Sequence, residues 1–287
     1  MNIKRIIILY KRSAYAIYFQ HPGSSFRRKG NIGAAEIKRF RKMHEIHYAS
    51  LNAVEEAIKE KGISCKRVCR GRRFDIGPHD FMVTVGGDGT FLEAARSIKN
   101  QIILGVNSDP SWSVGRFCFA NAQTFPSILE ALLKGRQNVR QFPRLDLRVA
   151  GKRFNVLNDV LFSHRNPAAM SRYSLTVDDI QEEQKSSGVW ISTAAGSSGA
   201  IKSAGGKKFF PTKKNMQYRP RELYAIKGKP YQLKGGVLDA AGSISIESIM
   251  REGCVFVDGS HVSVPVGFGG SVKISMSAFP LNVVAEQ

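Results

Sequence analysis

A glycine-rich turn that follows a short apolar run restricts the fold of this chain more than any other feature. Residues 81–85 are apolar or β-branched, Gly86-Gly87-Asp88-Gly89-Thr90 follows them, and a helical pattern of apolar residues covers 90–98. Glycines let the backbone turn sharply and let a ligand approach the main chain. The free N–H groups and the dipole at the start of a helix favour a phosphate group there. The sequence therefore predicts a strand, a phosphate-binding turn and a helix in succession.

Asp88 is the only charged residue in this turn. A carboxylate repels phosphate groups, so we expect it to hold a Mg²⁺ ion or to accept the proton of a hydroxyl that attacks phosphorus. A simpler interpretation is that Asp88 only caps the following helix. The turn matches neither the Walker pattern nor the GxGxxG fingerprint of dinucleotide-binding proteins. Both interpretations of Asp88 are open at this level.

The first 140 residues alternate between strand-like and helical patterns. Apolar runs typical of buried strands lie at 4–9, 81–85 and 101–106, and helical periodicity covers 34–61, 90–98 and 125–134. Strands separated by helices indicate βαβ units and a mainly parallel sheet. From about residue 142 the chain has short β-rich runs separated by Gly, Asp, Asn and Lys, which is typical of an all-β domain. We predict an α/β domain over 1–141 and a β-rich domain over 142–261.

The chain is strongly basic, because 43 Lys and Arg against 23 Asp and Glu give a net charge of +20. Such a surface attracts polyanions such as nucleotides, polyphosphate or nucleic acid. No apolar run approaches the length of a membrane span, which argues against an integral membrane protein. Four cysteines in 287 residues do not make a disulfide scaffold. These features favour a protein of the reducing cytoplasm.

Four segments together make the chain similar to one enzyme family. The turn Gly86–Thr90 resembles the signature that NAD kinases share with diacylglycerol kinases, sphingosine kinases and phosphofructokinases. The loop that begins at Gly105-Val106-Asn107, the pair Asn158-Asp159 and the segment 187–206 resemble motifs of NAD kinases in particular. The likeness extends from about residue 80 to 260, and Ser108-Asp109-Pro110 is most similar to the branch that includes mitochondrial NAD kinases. The chain thus resembles the NAD kinase family.

This resemblance implies a phosphoryl transfer. NAD kinases move the γ-phosphoryl group of ATP, or a phosphoryl group of polyphosphate in some members, to the 2′-hydroxyl of the adenosine ribose of NAD. Asp88 would then orient or deprotonate that hydroxyl, and Mg²⁺ would bridge the donor phosphates. The donor phosphates would be cradled by Gly86, Gly87, Gly89 and Thr90. Lys202, which begins a basic stretch, is a further candidate ligand of the donor.

The resemblance also implies where the dinucleotide binds and how the chain is assembled. Its NAD-binding positions correspond to Asn107, Asn158, Asp159, Thr193, Gly196, Ser198 and Gly199 in this sequence. Ser198 and its neighbours would line a pocket between the two domains. Residues 262–287 would return to the first domain, and the protein would form a homo-oligomer, either a dimer or a tetramer.

The chain departs from the family pattern at several positions expected to touch NAD. Ser187 replaces an Asp, Ala194-Ala195 replaces Pro-Thr, and Ala200 replaces a Tyr. Asp159 replaces the Glu of the family's Asn-Glu motif. NAD and NADH are both open as acceptors, and ATP and polyphosphate are both open as donors.

Two other functions compete with the NAD kinase interpretation. A lipid kinase could share the glycine turn, although the segment 192–206 suits a dinucleotide pocket better. A non-catalytic protein could bind polyanions through its charge, although no RNA-binding or DNA-binding motif supports specific nucleic-acid recognition. His44 and His47 lie one helical turn apart, but the sequence offers them no third metal ligand, so packing is the favoured role.

Overall fold

The structure is a computed structural model that describes residues 3–20, 32–225 and 230–285. It contains two compact units, Met1–Arg140 with Asn282–Gln287, and Gln141–Leu281. None of the helices in the described ranges combines the length and the apolar character that crossing a bilayer requires. Residues 21–33 are rich in Gly, Ser and Arg, which predicts a loop, and most of this segment lies outside the described residues.

Unit 1 is an α/β structure, which confirms the predicted fold class. Its strands are β1 (Arg5–Tyr10), β2 (Ser64–Cys69), β3 (Asp80–Gly86), β4 (Ile102–Asn107), β5 (Ala120–Asn121) and β6 (Val139–Phe142). Its helices are α1 (Ala14–Tyr18), α2 (Ala34–Glu60), α3 (Asp88–Ser97) and α4 (Phe125–Leu133). The strands β2, β1, β3 and β4 lie side by side in that order and pair in parallel.

Helices cover both faces of this sheet. The apolar residues of α2 and α4 share one core with Ile8, Val83 and Leu104. Helix α3 packs on β3 and β1, and it lies on the opposite face. Gly105 shows this, because a Cβ atom there would come within 2.9 Å of the ring of Phe91 while the neighbouring Leu104 belongs to the α2 core. Alternate residues of a strand point to opposite faces, so the strands are buried on both sides.

The strand order places a topological switch point between β1 and β3. From β1 the chain passes through α2 to β2 on one side, and then to β3 on the other side of β1. In such sheets, ligands bind in the crevice at the carboxyl ends of the strands where the order reverses. The carboxyl ends of β1 and β3 are Tyr10 and Gly86, so the glycine turn lies at this point.

Unit 2 is an antiparallel β-structure, as predicted. Its strands are β7 (Leu145–Val149), β8 (Lys152–Val156), β9 (Asp159–His164), β10 (Ser171–Val177), β11 (Ile180–Ser186), β12 (Val189–Thr193), β13 (Met216–Pro220), β14 (Gly236–Leu238), β15 (Ser243–Ser248), β16 (Gly253–Val257), β17 (Ser263–Val266) and β18 (Ser271–Met276). A 3₁₀ turn (Ala195–Ser198) and the short helix α5 (Ala200–Ser203) follow β12.

These strands form two six-stranded sheets that share one core. The first has the order β11-β10-β15-β18-β7-β8, and the second has the order β14-β13-β12-β9-β16-β17. Buried residues of both sheets belong to a single apolar cluster. Phe162 of β9 and Tyr173 of β10 meet edge to face in it, with ring centroids 5.6 Å apart. The alternation of buried and exposed residues along the strands matches a sandwich of two sheets.

The last strand, β19 (Leu281–Val284), adds to the sheet of unit 1. Asn282 and Val283 pair in parallel with Ile102 and Ile103 of β4, and the sheet order is β2-β1-β3-β4-β19-β6. The resemblance assigns all of 262–287 to the first domain, but β17 and β18 belong to the sheets of unit 2. Their alternating apolar residues enter the unit 2 core, so only the end of the segment joins unit 1.

Candidate active site

The glycine turn joins β3 to α3 at the switch point, and it has little room for side chains. A Cβ atom on Gly86 would lie 2.5 Å from the Thr90 hydroxyl, and one on Gly87 would lie 2.9 Å from Ser113 Oγ. Thr90 is only 1% exposed, and its hydroxyl finds no hydrogen-bond partner within the described ranges. The glycines are therefore needed for close packing, and their contact with phosphates stays a prediction.

Asp88 begins α3 and is half-buried. Its Oδ1 accepts a hydrogen bond of 2.9 Å from the backbone N–H of Phe117. The side chain does not cap its own helix, since the N-cap is Gly87 and no side-chain cap bond forms there. The simpler interpretation of Asp88 as an N-cap is therefore wrong. One carboxylate oxygen is held by the protein, and Oδ2 has no partner among the described residues.

Asn107 ends β4 directly beside Gly86. Its Nδ2 donates to the carbonyl oxygen of Ser113 at 2.8 Å, and its Oδ1 accepts from the N–H of Asp109 at 3.1 Å. Gly115, with a φ of +58°, packs so closely against this amide that a Cβ atom would come within 2.5 Å of Nδ2. The Asn107 side chain thus braces the loop after β4, and its predicted contact with NAD stays a prediction.

Arg70 lies at the same edge of the sheet, and the sequence did not single it out. It follows β2, and its backbone N–H donates to the Tyr10 carbonyl at 2.8 Å. Its Nε donates to Glu93 at 3.0 Å, and its guanidinium lies over Gly89, where a Cβ atom would be 3.3 Å from Nη1. No sequence pattern could reveal this contact, because β2 and β3 come near each other only through their pairing with β1.

Unit 2 holds a second group of candidate residues around the connection between β8 and β9. Asp258 accepts hydrogen bonds from the backbone N–H of Asn158 at 2.7 Å, and its own N–H donates to the Asp159 carbonyl at 2.9 Å. The Nδ2 of Asn158 donates to Asp159 Oδ2 at 2.9 Å. Asp258 also has a positive φ of 49°. The pair Asn158-Asp159 is therefore positioned by a residue 100 positions away in sequence.

Asp159 sits in an environment that disfavours its charge. It is 4% exposed. Burial, and then the neighbouring charge of Asp258, raise the pKa of Asp159 to about 7. A carboxyl group with such a pKa can donate a hydrogen bond when protonated and accept one when ionised. The buried Arg144 acts electrostatically on Asp258, which in turn supports the Arg144 cation.

Thr193 and Gly196 contact the backbone of the connection between β8 and β9. The Thr193 hydroxyl donates to the Leu157 carbonyl and accepts from the Gly196 N–H at 3.0 Å. A Cβ atom on Gly196 would lie 2.0 Å from the Asn158 carbonyl oxygen, so only glycine fits there. The structure thus brings Asn158, Asp159, Thr193 and Gly196 into one cluster.

The remaining candidates of unit 2 are less enclosed. Ser198 is half-buried in the 3₁₀ turn, and Gly199 follows it with its N–H bonded to the Gly196 carbonyl at 2.9 Å. Lys202 lies in α5 with an exposed side chain. Ser187, one of the departures from the family pattern, borders a separate cavity of about 320 Å³ that Trp190 and Arg221 also line.

Among the described residues, no group of three His, Cys, Asp or Glu side chains is placed to hold a metal ion alone. His44 and His47 are used in packing: His44 Nδ1 is 2.7 Å from Ser13 Oγ, and His47 Nε2 is 2.8 Å from the Lys11 carbonyl. The structure therefore gives no sign of a metal site at these histidines.

Comparisons with known proteins agree with this arrangement. A model of the ATP-NAD kinase N-terminal domain matches residues 38–137. A probable NADH kinase of Oryza sativa subsp. japonica is 31% identical over 264 residues, which cover 83% of this chain and 81% of that protein. An NADH kinase of Arabidopsis thaliana is 27% identical over 99% of this chain and 96% of its own length.

A solved structure has the same fold. The crystal structure of an NAD kinase from Archaeoglobus fulgidus in complex with ATP superimposes with a TM-score of 0.69 and 24% identity, over 99% of this chain and 94% of that one. At 24% identity, this structural similarity is evidence for a shared fold alone.

Proposed function

This chain belongs to the NAD kinase family, and we propose that it phosphorylates the 2′-hydroxyl of the adenosine ribose of NAD or NADH with ATP as the donor. The observation that carries the proposal is Asp88 in the glycine turn at the switch point. One of its oxygens is held by the Phe117 N–H, and the other is available for a ligand. A fixed carboxylate next to a phosphate-binding turn suits the transfer of a phosphoryl group to a hydroxyl.

In the proposed reaction the ribose 2′-oxygen forms a bond to the γ-phosphorus of ATP. The bond between that phosphorus and the oxygen that bridges to the β-phosphate breaks, and its electron pair leaves with ADP. Asp88 Oδ2 accepts the hydroxyl proton or holds the hydroxyl in line for attack. Most of the rate enhancement in such reactions comes from positioning and charge neutralisation. We therefore expect the backbone of the glycine turn and nearby cations to contribute much of it.

A divalent cation is part of this proposal. Mg²⁺ keeps several waters and is bound in proteins by one or two carboxylates together with substrate phosphates. The described residues form no cage of side chains that would hold the ion without a substrate. This fits a Mg²⁺ ion that arrives with ATP and is held mainly by its phosphates and by water. When bound, the ion would neutralise charge on the donor phosphates.

The cluster around Asn158 and Asp159 would recognise the adenosine part of the acceptor. The Asn158 side chain and the Asp159 carboxyl group can together offer donors and acceptors to an adenine base or a ribose hydroxyl. Thr193, Gly196, Ser198 and Gly199 would complete the contact with the dinucleotide. Asn107, and Lys202 on the donor side, are further members of this predicted site.

We propose NADH as well as NAD as an acceptor, because the Oryza sativa and Arabidopsis thaliana relatives are named a probable NADH kinase and an NADH kinase. Polyphosphate stands beside ATP as a donor that the resemblance allows. A homo-oligomer, either a dimer or a tetramer, and a cytoplasmic location also remain predictions. The same holds for a domain limit at 141/142.

Product analysis tests the proposed function. The purified chain is incubated with Mg²⁺, each acceptor and each donor, and the product is assayed with a dehydrogenase specific for the 2′-phosphorylated coenzyme. We expect NADP or NADPH with ATP, and none after Mg²⁺ is removed by EDTA. Failure of all four combinations in Mg²⁺ would contradict the proposal, and phosphorylation of a lipid by the same preparation would favour the lipid kinase alternative.

A further inference from the structure

A small cavity, lined by both apolar and polar residues, adjoins the glycine turn at the switch point of unit 1. Its volume is about 90 Å³, and its lining includes Lys11, Gly86, Ser108 and Asp109. Pockets for whole small molecules commonly measure about 300–1,000 Å³. This one is therefore of a size for a single group of a larger ligand. Gly86, Ser108 and Asp109 belong to the motifs of the sequence, whereas Lys11 does not belong to the predicted site.

Lys11 is placed at this cavity by the parallel register of β1 and β3. Tyr10 pairs with Val85, so the next residue along β1 lies beside Gly86. The side chain is half-buried, and its Nζ forms no ion pair or hydrogen bond with any residue of the described ranges. Burial, and then the charge of Arg70, lower the pKa of Lys11, while Asp109 opposes this effect. A half-buried ammonium group without a bonded partner is stabilised by an anion.

Arg70 provides a second cation at the turn. Its side chain is 20% exposed, and Glu93 holds its Nε, so the guanidinium is fixed over Gly89. The two terminal nitrogens, Nη1 and Nη2, have no partner in the part of the chain that the structure describes. A guanidinium held in this way presents N–H donors in a planar fork, which suits phosphate oxygens.

The electrostatics of Cys118 show that Lys11 and Asp88 act on the same region. Burial and the charge of Asp88 raise the pKa of Cys118 to about 12, whereas Lys11 lowers it. The proposed acceptor of the hydroxyl proton and the Lys11 cation therefore both act on one half-buried thiol. A terminal phosphoryl group between them would be close to both the carboxylate and the ammonium.

We propose that Lys11 and Arg70 bind the phosphate groups of the phosphoryl donor at the glycine turn, with Lys11 in the small cavity near Gly86 and Arg70 beside Gly89. This inference rests on the proposed function for the identity of the donor. Asp109, the acidic residue of the cavity, accepts a hydrogen bond from Ser111 at 2.5 Å and helps to hold the ammonium in place. Two cations at the turn would offset the negative charge of a triphosphate, which Asp88 alone would repel.

Direct binding measurements test this inference separately from activity. The dissociation constants of ATP and of inorganic tripolyphosphate are measured by calorimetry for the wild type, Lys11→Met, Lys11→Arg and Arg70→Lys. Lys66→Met is the matched control, because Lys66 is exposed on β2 and has no assigned role. The dissociation constant of NAD and the melting temperature are measured for the same proteins.

We expect Lys11→Met to weaken ATP and tripolyphosphate about tenfold or more, which is the range for a lost hydrogen bond to a charged group. Lys11→Arg should recover most of the affinity, and Arg70→Lys should lose part of it because the planar fork is gone. NAD affinity should change less than about twofold, and Lys66→Met should behave as the wild type.

The outcomes separate this inference from the proposed function. Unchanged ATP affinity in Lys11→Met and Arg70→Lys, in a protein that still makes NADP, would overturn the inference and leave the function intact. A wild type that binds ATP through Lys11 and Arg70 but makes no NADP or NADPH would support the inference and contradict the function. A fall in melting temperature without a change in ATP affinity would mean that the cations only stabilise the fold, and a wild type that binds neither probe would also overturn the inference.

Discussion

Single residues in this chain are restricted most strongly where the backbone of one segment touches another. Gly196 is the clearest case, because its missing side chain lets the Asn158 carbonyl oxygen approach to a distance that no Cβ atom allows. The sequence identifies Gly196 as a family position, but it gives no reason for the glycine. The reason is the packing of the turn after β12 against the connection between β8 and β9.

Gly196→Ala should therefore destabilise unit 2 and displace Asn158. A Cβ atom 2.0 Å from a backbone oxygen forces the backbone apart, and we expect a loss of about 2 kcal/mol or more in the free energy of unfolding. Denaturant unfolding measures this change. Gly33→Ala is the matched control, because a Cβ atom at Gly33 meets none of the described residues within 4 Å. Equal stability of the two variants would contradict the packing described here.

Asp159 should make stability depend on pH. Its folded pKa of about 7 lies above the unfolded value near 4, so the folded state binds more protons between these values. Stability then falls as pH rises from about 4 to about 7. Asp159→Asn, which stays neutral, should flatten this dependence in thermal unfolding between pH 5 and 8. A wild-type curve and an Asp159→Asn curve with the same slope would contradict the raised pKa.

At the scale of elements, the prediction from sequence succeeded where periodicity is local and failed where pairing is distant. The strand pattern at 81–85 and the helical patterns that begin at 34 and at 125 can each be recognised within a short stretch of sequence. The structure has a strand or a helix at each of these places. The sequence pattern of residues 154–162 predicts one extended run, but the structure has two strands there, because the chain turns at Leu157-Asn158, where Asp258 binds the backbone N–H groups. The pattern also predicts a strand at 224–226, and the described part of that segment forms none.

Several strands could not be predicted from local pattern. β11 carries Glu182, Glu183 and Lys185 and has little apolar character, yet it pairs with β10 along its whole length. β17 has a proline, which is tolerated because the strand lies at the edge of its sheet. Both segments are strands because a neighbouring strand forms backbone hydrogen bonds with them. The local sequence pattern carries no information about that neighbour.

The contribution of β19 to unit 1 can be measured. Val283 is fully buried and pairs with Ile103. Val283→Ala should lower the free energy of unfolding by about 1–3 kcal/mol, through lost apolar burial and the space left behind. Val237→Ala is the control, because Val237 is 46% exposed on β14. If the two substitutions cost the same, β19 is not an integral part of the sheet of unit 1.

For the whole molecule, the sequence predicts an α/β domain with a mainly parallel sheet, an all-β domain and the glycine turn, but only part of the proposed chemistry. Asp88 could be found because the turn is contiguous in sequence. Lys11 and Arg70 could not, since parallel register brings them to Gly86 and Gly89 from β1 and β2. The net charge of +20 indicates anionic ligands, but it does not tell which of 43 cations meet them.

The most direct test of the central claim compares the wild type with Asp88→Asn. Asparagine has the same shape and its Oδ1 can still accept the Phe117 N–H, but it cannot take a proton or carry charge. The single-turnover rate of NADP or NADPH formation is measured at saturating ATP and acceptor, with both dissociation constants determined by calorimetry. Asp179→Asn, an exposed position in unit 2, is the control. We predict a rate lowered about 10²–10⁴-fold with binding of both substrates retained, whereas an undiminished rate in Asp88→Asn would contradict the assignment of the reaction to this carboxylate.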